Sequence, residues 1–269
     1  MQGIRITAKT KDGHQRTISV TNGMYNAVEL EEITKHFRKY IKDGGERGDY
    51  IVSVPKSMPT SAPDHFSAGD VLKLNLPTNG GCSFLLLGST RSGKSTAMIA
   101  IYEKFFKKHI TMLLTHSAHA DIYKPLQQKA IVCQGFFPEL VNEPMKLNNA
   151  TKNHYEFCLL FDDLSVSGKN DVDMVKLLTI GRNSNMSAII SAQRLQMLNA
   201  TGRANTNYVC LFRLSTDSAI KDVVETYLRS YLPSTMTLQD CIRYYKEKTV
   251  DHHFFLVNTL NDEVSICKI

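Results

Sequence analysis

From Cys82 onward the chain is a series of short apolar runs separated by segments of helical periodicity. The runs are "SFLLLG", "ITMLLTH", "AIVCQG", "EFCLLFDD", "SAIISAQ" and "NYVCLFRLS". They do not alternate apolar with polar, so each predicts a strand buried on both faces. Between them, "KSTAMIAIYEKFFKKH" and "VDMVKLLTIGRN" predict helices. Strands alternating with helices argue an α/β fold with a mostly parallel sheet flanked by helices. Further on, "TDSAIKDVVETYLRSYL" reads as a helix stopped by Pro233, and "TLQDCIRYYKEK" as a helix capped by Thr237 with Asp240 three residues on. "HHFFLVN" and "EVSICKI" then form a closing hairpin across "TLND".

The first part has a different texture. "IRITAKT" and "RTISV" alternate around the turn "KDGH", which predicts a hairpin. "NAVELEEITKHFRKYIK" places Val28, Ile33, Phe37 and Ile41 on one helical face, and "YIVSV" reads as a short strand. Pro55 to Asp70 is rich in Pro, Ser and Ala and reads as a linker. The expected division is a small β-hairpin–helix module over residues 1–76 and a larger domain over 77–269.

Composition narrows this only a little. The chain has 269 residues, 42% hydrophobic and 22% charged, with a formal net charge of +6. That balance permits a polyanionic partner without requiring one. No apolar run is long enough to span a bilayer, and "MQGIRITAKTKDG" lacks the apolar core of a secretion signal, so an intracellular protein is expected. The six cysteines are scattered, several inside apolar runs, and read as buried free thiols.

The chemistry is concentrated at "GSTRSGKST". Gly88, Ser89, Thr90, Arg91, Ser92, Gly93, Lys94 and Ser95 fit G-x-x-x-x-G-K-[ST] between a strand and a helix, with Thr96 in the helix's first turn. Such a loop turns successive backbone N–H groups into one concavity, and the helix N-terminus adds its dipole, which together hold a triphosphate. Lys94 is expected at the β- and γ-phosphates and Ser95 on Mg²⁺. "EFCLLFDD" ends in Asp162, expected on the Mg²⁺, and Asp163, the candidate general base; as plain residues the pair would only cap the next segment. Gln193, at the end of "SAIISAQ", is the candidate that senses the γ-phosphate and helps place the attacking water. His116 and His119 have no third ligand in sequence and are read as loop residues rather than a metal pair.

The full phosphate loop, "LLFDD", "GRNSNMSAIISAQ" and "GRANTNYVCLFRLSTD" together resemble the FtsK–HerA superfamily of DNA-pumping ATPases, and within it the genome-packaging ATPases of poxviruses, other large DNA viruses and virophages. The resemblance covers roughly Cys82 to Ile269. It implies a RecA-like, ASCE-type P-loop NTPase that uses ATP and Mg²⁺. The family's Gly-Arg-His element stands here as Gly181, Arg182, Asn183, and its Arg-x-Asn element as Arg203, Ala204, Asn205. The resemblance implies that Arg203, or less directly Arg182, reaches a γ-phosphate in cis or from a neighbouring subunit. It also implies double-stranded DNA as a partner, a homo-oligomeric ring of five or six subunits, and a capsid or vertex protein. Basic residues beside aromatics in "KFFKKH" and "RYYKEK", and Lys169 in "SVSGKND", are candidate DNA contacts; lysines at helix ends also suit the dipole alone.

The expectation is an ATP-driven motor that packages viral DNA. Two other readings stand beside it. One is a cellular or plasmid translocase of the same superfamily. The other is an ATP-dependent docking switch with little turnover.

Overall fold

The structure, a computed structural model, describes residues 4–9, 15–20, 35, 66–162 and 169–269; for 4–9, 15–20 and 169–171 it describes the backbone alone. The chain divides into two compact units, Met1–Asp64 and His65–Ile269. In the first, β1 (Ile4–Lys9) and β2 (Gln15–Val20) form the expected antiparallel hairpin, with Ile4 opposite Val20 and Lys9 opposite Gln15. Lys35 is helical; the rest of the expected helix and the strand "YIVSV" lie outside the described residues.

The second unit is built on a nine-stranded sheet. Its strands in chain order are β3 (Ser67–Ala68), β4 (Ser83–Leu87), β5 (Ile110–Thr115), β6 (Ala130–Gln134), β7 (Phe157–Asp162), β8 (Met186–Ala192), β9 (Tyr208–Leu211), β10 (His253–Asn258) and β11 (Glu263–Lys268). In space the order is β3-β11-β10-β9-β4-β8-β7-β5-β6. From β9 to β6 every neighbouring pair is parallel; β10 runs antiparallel to β9 and β11. Strands β4, β7, β8 and β9 are buried along their whole length. That is why their sequences carry no alternation: both faces of the sheet are covered.

The helices are α1 (Lys94–Ile101), α2 (Glu139–Ala150), α3 (Lys169–Ile180), α4 (Ala200–Ala204), α5 (Asp217–Val223) and α6 (Leu238–Lys248). The α1 helix runs on as a π-helical turn, Tyr102–Phe106, so the single helix read from "KSTAMIAIYEKFF" is continuous but changes pitch. Thr237 and Asp240 form the expected capping box on α6. Met98, Ile101, Tyr102 and Phe106 pack with Phe84, Leu86, Tyr208 and Phe254 in the main core cluster. All six cysteines are free. Among the described residues, no helix is long and apolar enough to cross a membrane.

The boundary expected at 76/77 falls instead between Asp64 and His65. Residues within the expected linker are part of the larger unit: β3 pairs with β11, Ser67 opposite Ser265 and Ala68 opposite Ile266. Phe66 packs edge-on against Phe255 at 5.6 Å, and Val71 is fully buried. A two-residue strand carries no periodicity, so the Pro, Ser and Ala content dominated the sequence pattern.

Candidate functional site

Strand β4 ends at Leu87, and the chain turns at once into the loop 88–93 before α1. The loop is tied to both neighbouring strands. Gly88 N donates to the Ala192 carbonyl at 3.1 Å, and Ser89 N donates to the Arg213 carbonyl at 2.9 Å. A side chain on Gly88 has no room, because a Cβ there would lie 2.5 Å from Ser92 Oγ and 2.6 Å from Phe212 Cβ. Gly93 sits at φ +102° and caps α1 with no side-chain hydrogen bond, so no side chain intrudes on the first turn of the helix. Lys94 opens that helix, is 4% exposed, and donates from Nζ to the Ser89 carbonyl at 3.0 Å. Its ammonium therefore stands inside the curl of the loop. This is the concave, positively charged geometry that a polyphosphate requires.

Ser95 and Asp162 are 67 positions apart in sequence and meet here. The Ser95 hydroxyl donates to Asp162 Oδ2 at 2.6 Å. Asp162 is 1% exposed and ends β7. The same oxygen accepts a hydrogen bond from the Tyr123 hydroxyl. Asp162 Oδ1 is buried and has no hydrogen-bond partner among the described residues. A buried carboxylate oxygen left open beside a serine hydroxyl fits a hard divalent cation or its bound water. Burial, and then the Asp162 carboxylate, push the Tyr123 phenol well up, so it stays protonated and donates.

Strand β8 lies between β4 and β7, so the phosphate loop and the acidic strand are not adjacent. Leu87 pairs with Ala192, which sets the next residue, Gln193, beside the loop. Gln193 lines a cleft of about 680 Å³ together with Ser89, Thr90, Thr216 and Asp222. Asp163 lies outside the described residues, as does the segment up to Gly168.

The two expected arginines are placed elsewhere. Arg182 is exposed and precedes β8; its carbonyl accepts from Gly81 N at 3.0 Å, before β4 begins. It therefore lies at the opposite end of the strands from its own phosphate loop, separated from it by at least the length of β4, about 17 Å at the rise of an extended strand. A cis contact between Arg182 and a phosphate held there is excluded by this placement. Arg203 is half-buried, and its Nη1 donates to the carbonyls of Leu195 and Leu198 at 2.9 and 3.2 Å. Within the chain it braces the segment that follows Gln193. The arginine whose backbone abuts the loop is Arg213, which the sequence reading did not single out.

Among the expected DNA contacts, "RYYKEK" is engaged internally. Arg243 pairs with Asp240 and Lys246 with Asp217, each at 2.6 Å, and Lys248 lies over the Tyr244 ring. Tyr244 and Tyr245 are 2% and 1% exposed, so neither can stack on a base. In "KFFKKH", Phe106 is buried while Lys104, Lys107 and Lys108 are exposed. His116 and His119 are exposed, and no group of three or more His, Cys, Asp or Glu side chains placed to hold a metal ion occurs among the described residues.

Comparison with known proteins is consistent with this geometry. A family model described as "Poxvirus A32 protein" matches residues 137–257. No curated protein sequence matches the chain. Among solved structures, B204, the DNA-packaging ATPase from Sulfolobus Turreted Icosahedral Virus, is 16% identical with a TM-score of 0.50, covering 70% of this chain and 98% of that one. The pCW3 conjugation coupling protein TcpA, in its monomer form with ATPγS, is 13% identical with a TM-score of 0.50, covering 72% of this chain and 61% of that one. At these identities the likeness is one of fold. The matched family segment leaves out the widespread phosphate loop and includes Asp162, Arg182, Gln193 and Arg203. The loop and its flanking strand and helix are those of a P-loop ATPase, the fold is shared with B204 and TcpA, and the part of the chain that matches the poxvirus A32 family model is less than half of it.

Proposed function

We propose that the protein is the ATPase of a viral genome-packaging machine, moving double-stranded DNA into a preformed capsid as a ring of identical subunits. The observation that carries this is the meeting of Ser95 and Asp162 beneath the Gly88–Ser95 loop, in a chain whose residues 137–257 match the poxvirus A32 family. B204 and TcpA share the fold equally, so the fold does not separate viral packaging from plasmid transfer. The family match favours packaging.

In this reading the amides of the loop and Lys94 hold the β- and γ-phosphates of ATP. Ser95 and Asp162 would hold Mg²⁺, which when bound would supply positive charge to offset that building on the phosphates. Asp163 accepts a proton from the attacking water, and Gln193 orients it. Arg182 sits at the far end of β8 and Arg203 is held on the Leu195 and Leu198 carbonyls, so an arginine contribution would come from Arg213, which borders the loop, or from a neighbouring subunit. Such an arginine is worth about 10³–10⁵ in rate, and one from a neighbour would make hydrolysis depend on assembly. Exposed Lys104, Lys107 and Lys108 are the candidate cations for the DNA backbone, and a capsid or vertex protein is the further partner.

The test is steady-state ATP hydrolysis with and without duplex DNA. Turnover that needs Mg²⁺, rises with DNA and falls by about 10²–10³ in Lys94→Ala is expected. Turnover that Lys94→Ala leaves intact would sink the assignment. A near-zero rate in the wild-type chain under both conditions would favour a nucleotide-dependent docking switch.

A further inference from the structure

Tyr123 closes the short turn Asp121–Tyr123 that follows β5. Strand register explains why it comes to the metal site. Thr115, the last residue of β5, pairs directly with Asp162, the last of β7. The chain leaving β5 therefore folds back over the edge of the sheet where Asp162 emerges. The turn is held on both sides: Tyr123 N donates to the Ala120 carbonyl at 3.0 Å, and Leu126 N donates to the Tyr123 carbonyl at 2.9 Å. Tyr123 is 3% exposed and belongs to the main core cluster. A phenylalanine would fill the same space. The hydroxyl donates to Asp162 Oδ2 and also lies within hydrogen-bonding reach of the Thr115 and Ser95 hydroxyls.

Two donors, Tyr123 and Ser95, thus converge on one carboxylate oxygen, and the other oxygen is left without a partner among the described residues. A carboxylate gripped this way cannot rotate about its Cβ–Cγ bond without breaking both bonds. Ser95 spends its proton on Asp162, which leaves its oxygen lone pairs for another electrophile. We propose that Tyr123 is a positioning residue for the divalent cation of the nucleotide site: it locks Asp162 so that Oδ1 and the Ser95 oxygen face the ion together. This rests on the reading of the loop as a nucleotide site, and adds to it a residue outside the phosphate-loop and acidic motifs.

The experiment is a MgCl2 titration of the binding of mant-ATP, a fluorescent ATP analogue, to the full chain, with a parallel titration in EDTA and a thermal melt. Removing an outer partner of a metal ligand typically weakens metal affinity 10–100-fold. In Tyr123→Phe the Mg²⁺ midpoint is expected to rise about tenfold, while mant-ATP affinity in EDTA stays at the wild-type value. Tyr123→Leu, which also lacks the hydroxyl but packs differently, is expected to share that midpoint even if it melts earlier. A wild-type Mg²⁺ midpoint in Tyr123→Phe overturns the proposal. So does an equal loss of affinity in EDTA, because that would mean Tyr123 shapes the loop and not the ion's ligands. If the wild-type chain itself fails to bind mant-ATP, the nucleotide reading falls first and this proposal falls with it.

Discussion

Gly88 shows how little freedom the phosphate loop has. A methyl group there would press on Ser92 Oγ and on Phe212 Cβ. Ser92 could turn aside, but Phe212 is stacked on Phe254 at 4.5 Å and its backbone N–H is held by the Leu87 carbonyl at 2.7 Å. The loop must therefore move. Gly88→Ala is expected to cost about 1–3 kcal/mol in stability, from overpacking, and to abolish most nucleotide binding. Urea unfolding and calorimetric titration with ATPγS measure the two effects separately. The thiols offer a second check. Burial pushes Cys82 up to about 12, and Cys158 and Cys210 also rise, so their reactive thiolates are scarce near neutral pH. Cys133 is half-buried on the edge strand β6. Ellman's reagent should label it first in the native protein, and Cys133→Ser should remove that fast phase. At this scale the sequence is informative where the chemistry is local. The loop from Gly88 to Ser95 is one continuous stretch, so its glycine and lysine spacing is visible directly. Tyr123 and Arg213 reach the site through strand order and register, which no spacing encodes.

Elements are legible in proportion to how much of their burial pattern is their own. Strands β4, β7 and β8 announce themselves because all their positions are buried, and α6 because Thr237 and Asp240 cap each other. Helix α2 was not foreseen. It is preceded by Pro138 at the N-cap, contains Pro144, and buries Val141, Met145 and the polar Asn148, so its apolar stripe is thin. Asn148 takes the place of packing: its Nδ2 donates to the Tyr155 and Ser184 carbonyls at 2.8 and 2.6 Å and ties α2 to the turn before β8. For α6 the cap can be tested. Thr237 Oγ1 accepts from Asp240 N at 3.2 Å, and Asp240 Oδ2 accepts from Thr237 N at 3.1 Å. The Thr237 hydroxyl, aided by its backbone N–H and Arg243, holds the Asp240 carboxyl below its usual range. Thr237→Ala is expected to lose about 1 kcal/mol in urea unfolding above pH 5. Because the folded carboxyl titrates low, the part of that difference owed to its charge is present above the ordinary carboxylate pKa and fades as the pH falls through the lowered one.

At the scale of the whole chain, the division between the two units decides what the larger one can do alone. Composition placed the division after Leu76; the contacts place it after Asp64. The difference is physical. Phe66 lies against Phe255 and Tyr244, and Val71 is fully buried in the main core. Gly69 N donates to the Ile266 carbonyl at 2.8 Å, and Gly69 fits there because a Cβ would strike Ser265 Oγ at 2.2 Å. Each of the two apolar side chains contributes about 1.5–3 kcal/mol through burial. Without β3, strand β11 would also become an open sheet edge that invites association with other chains. Two shortened chains separate the alternatives. One beginning at His65 is expected to unfold in a single cooperative urea transition and to stay soluble. One beginning at Pro77 is expected to be less stable by about 4 kcal/mol and prone to aggregate. Equal midpoints would mean that residues 66–76 are dispensable, and that the proline-rich stretch is a linker to its end. If the ATPase of the chain beginning at His65 also matches that of the full protein, the hairpin unit is not needed for catalysis.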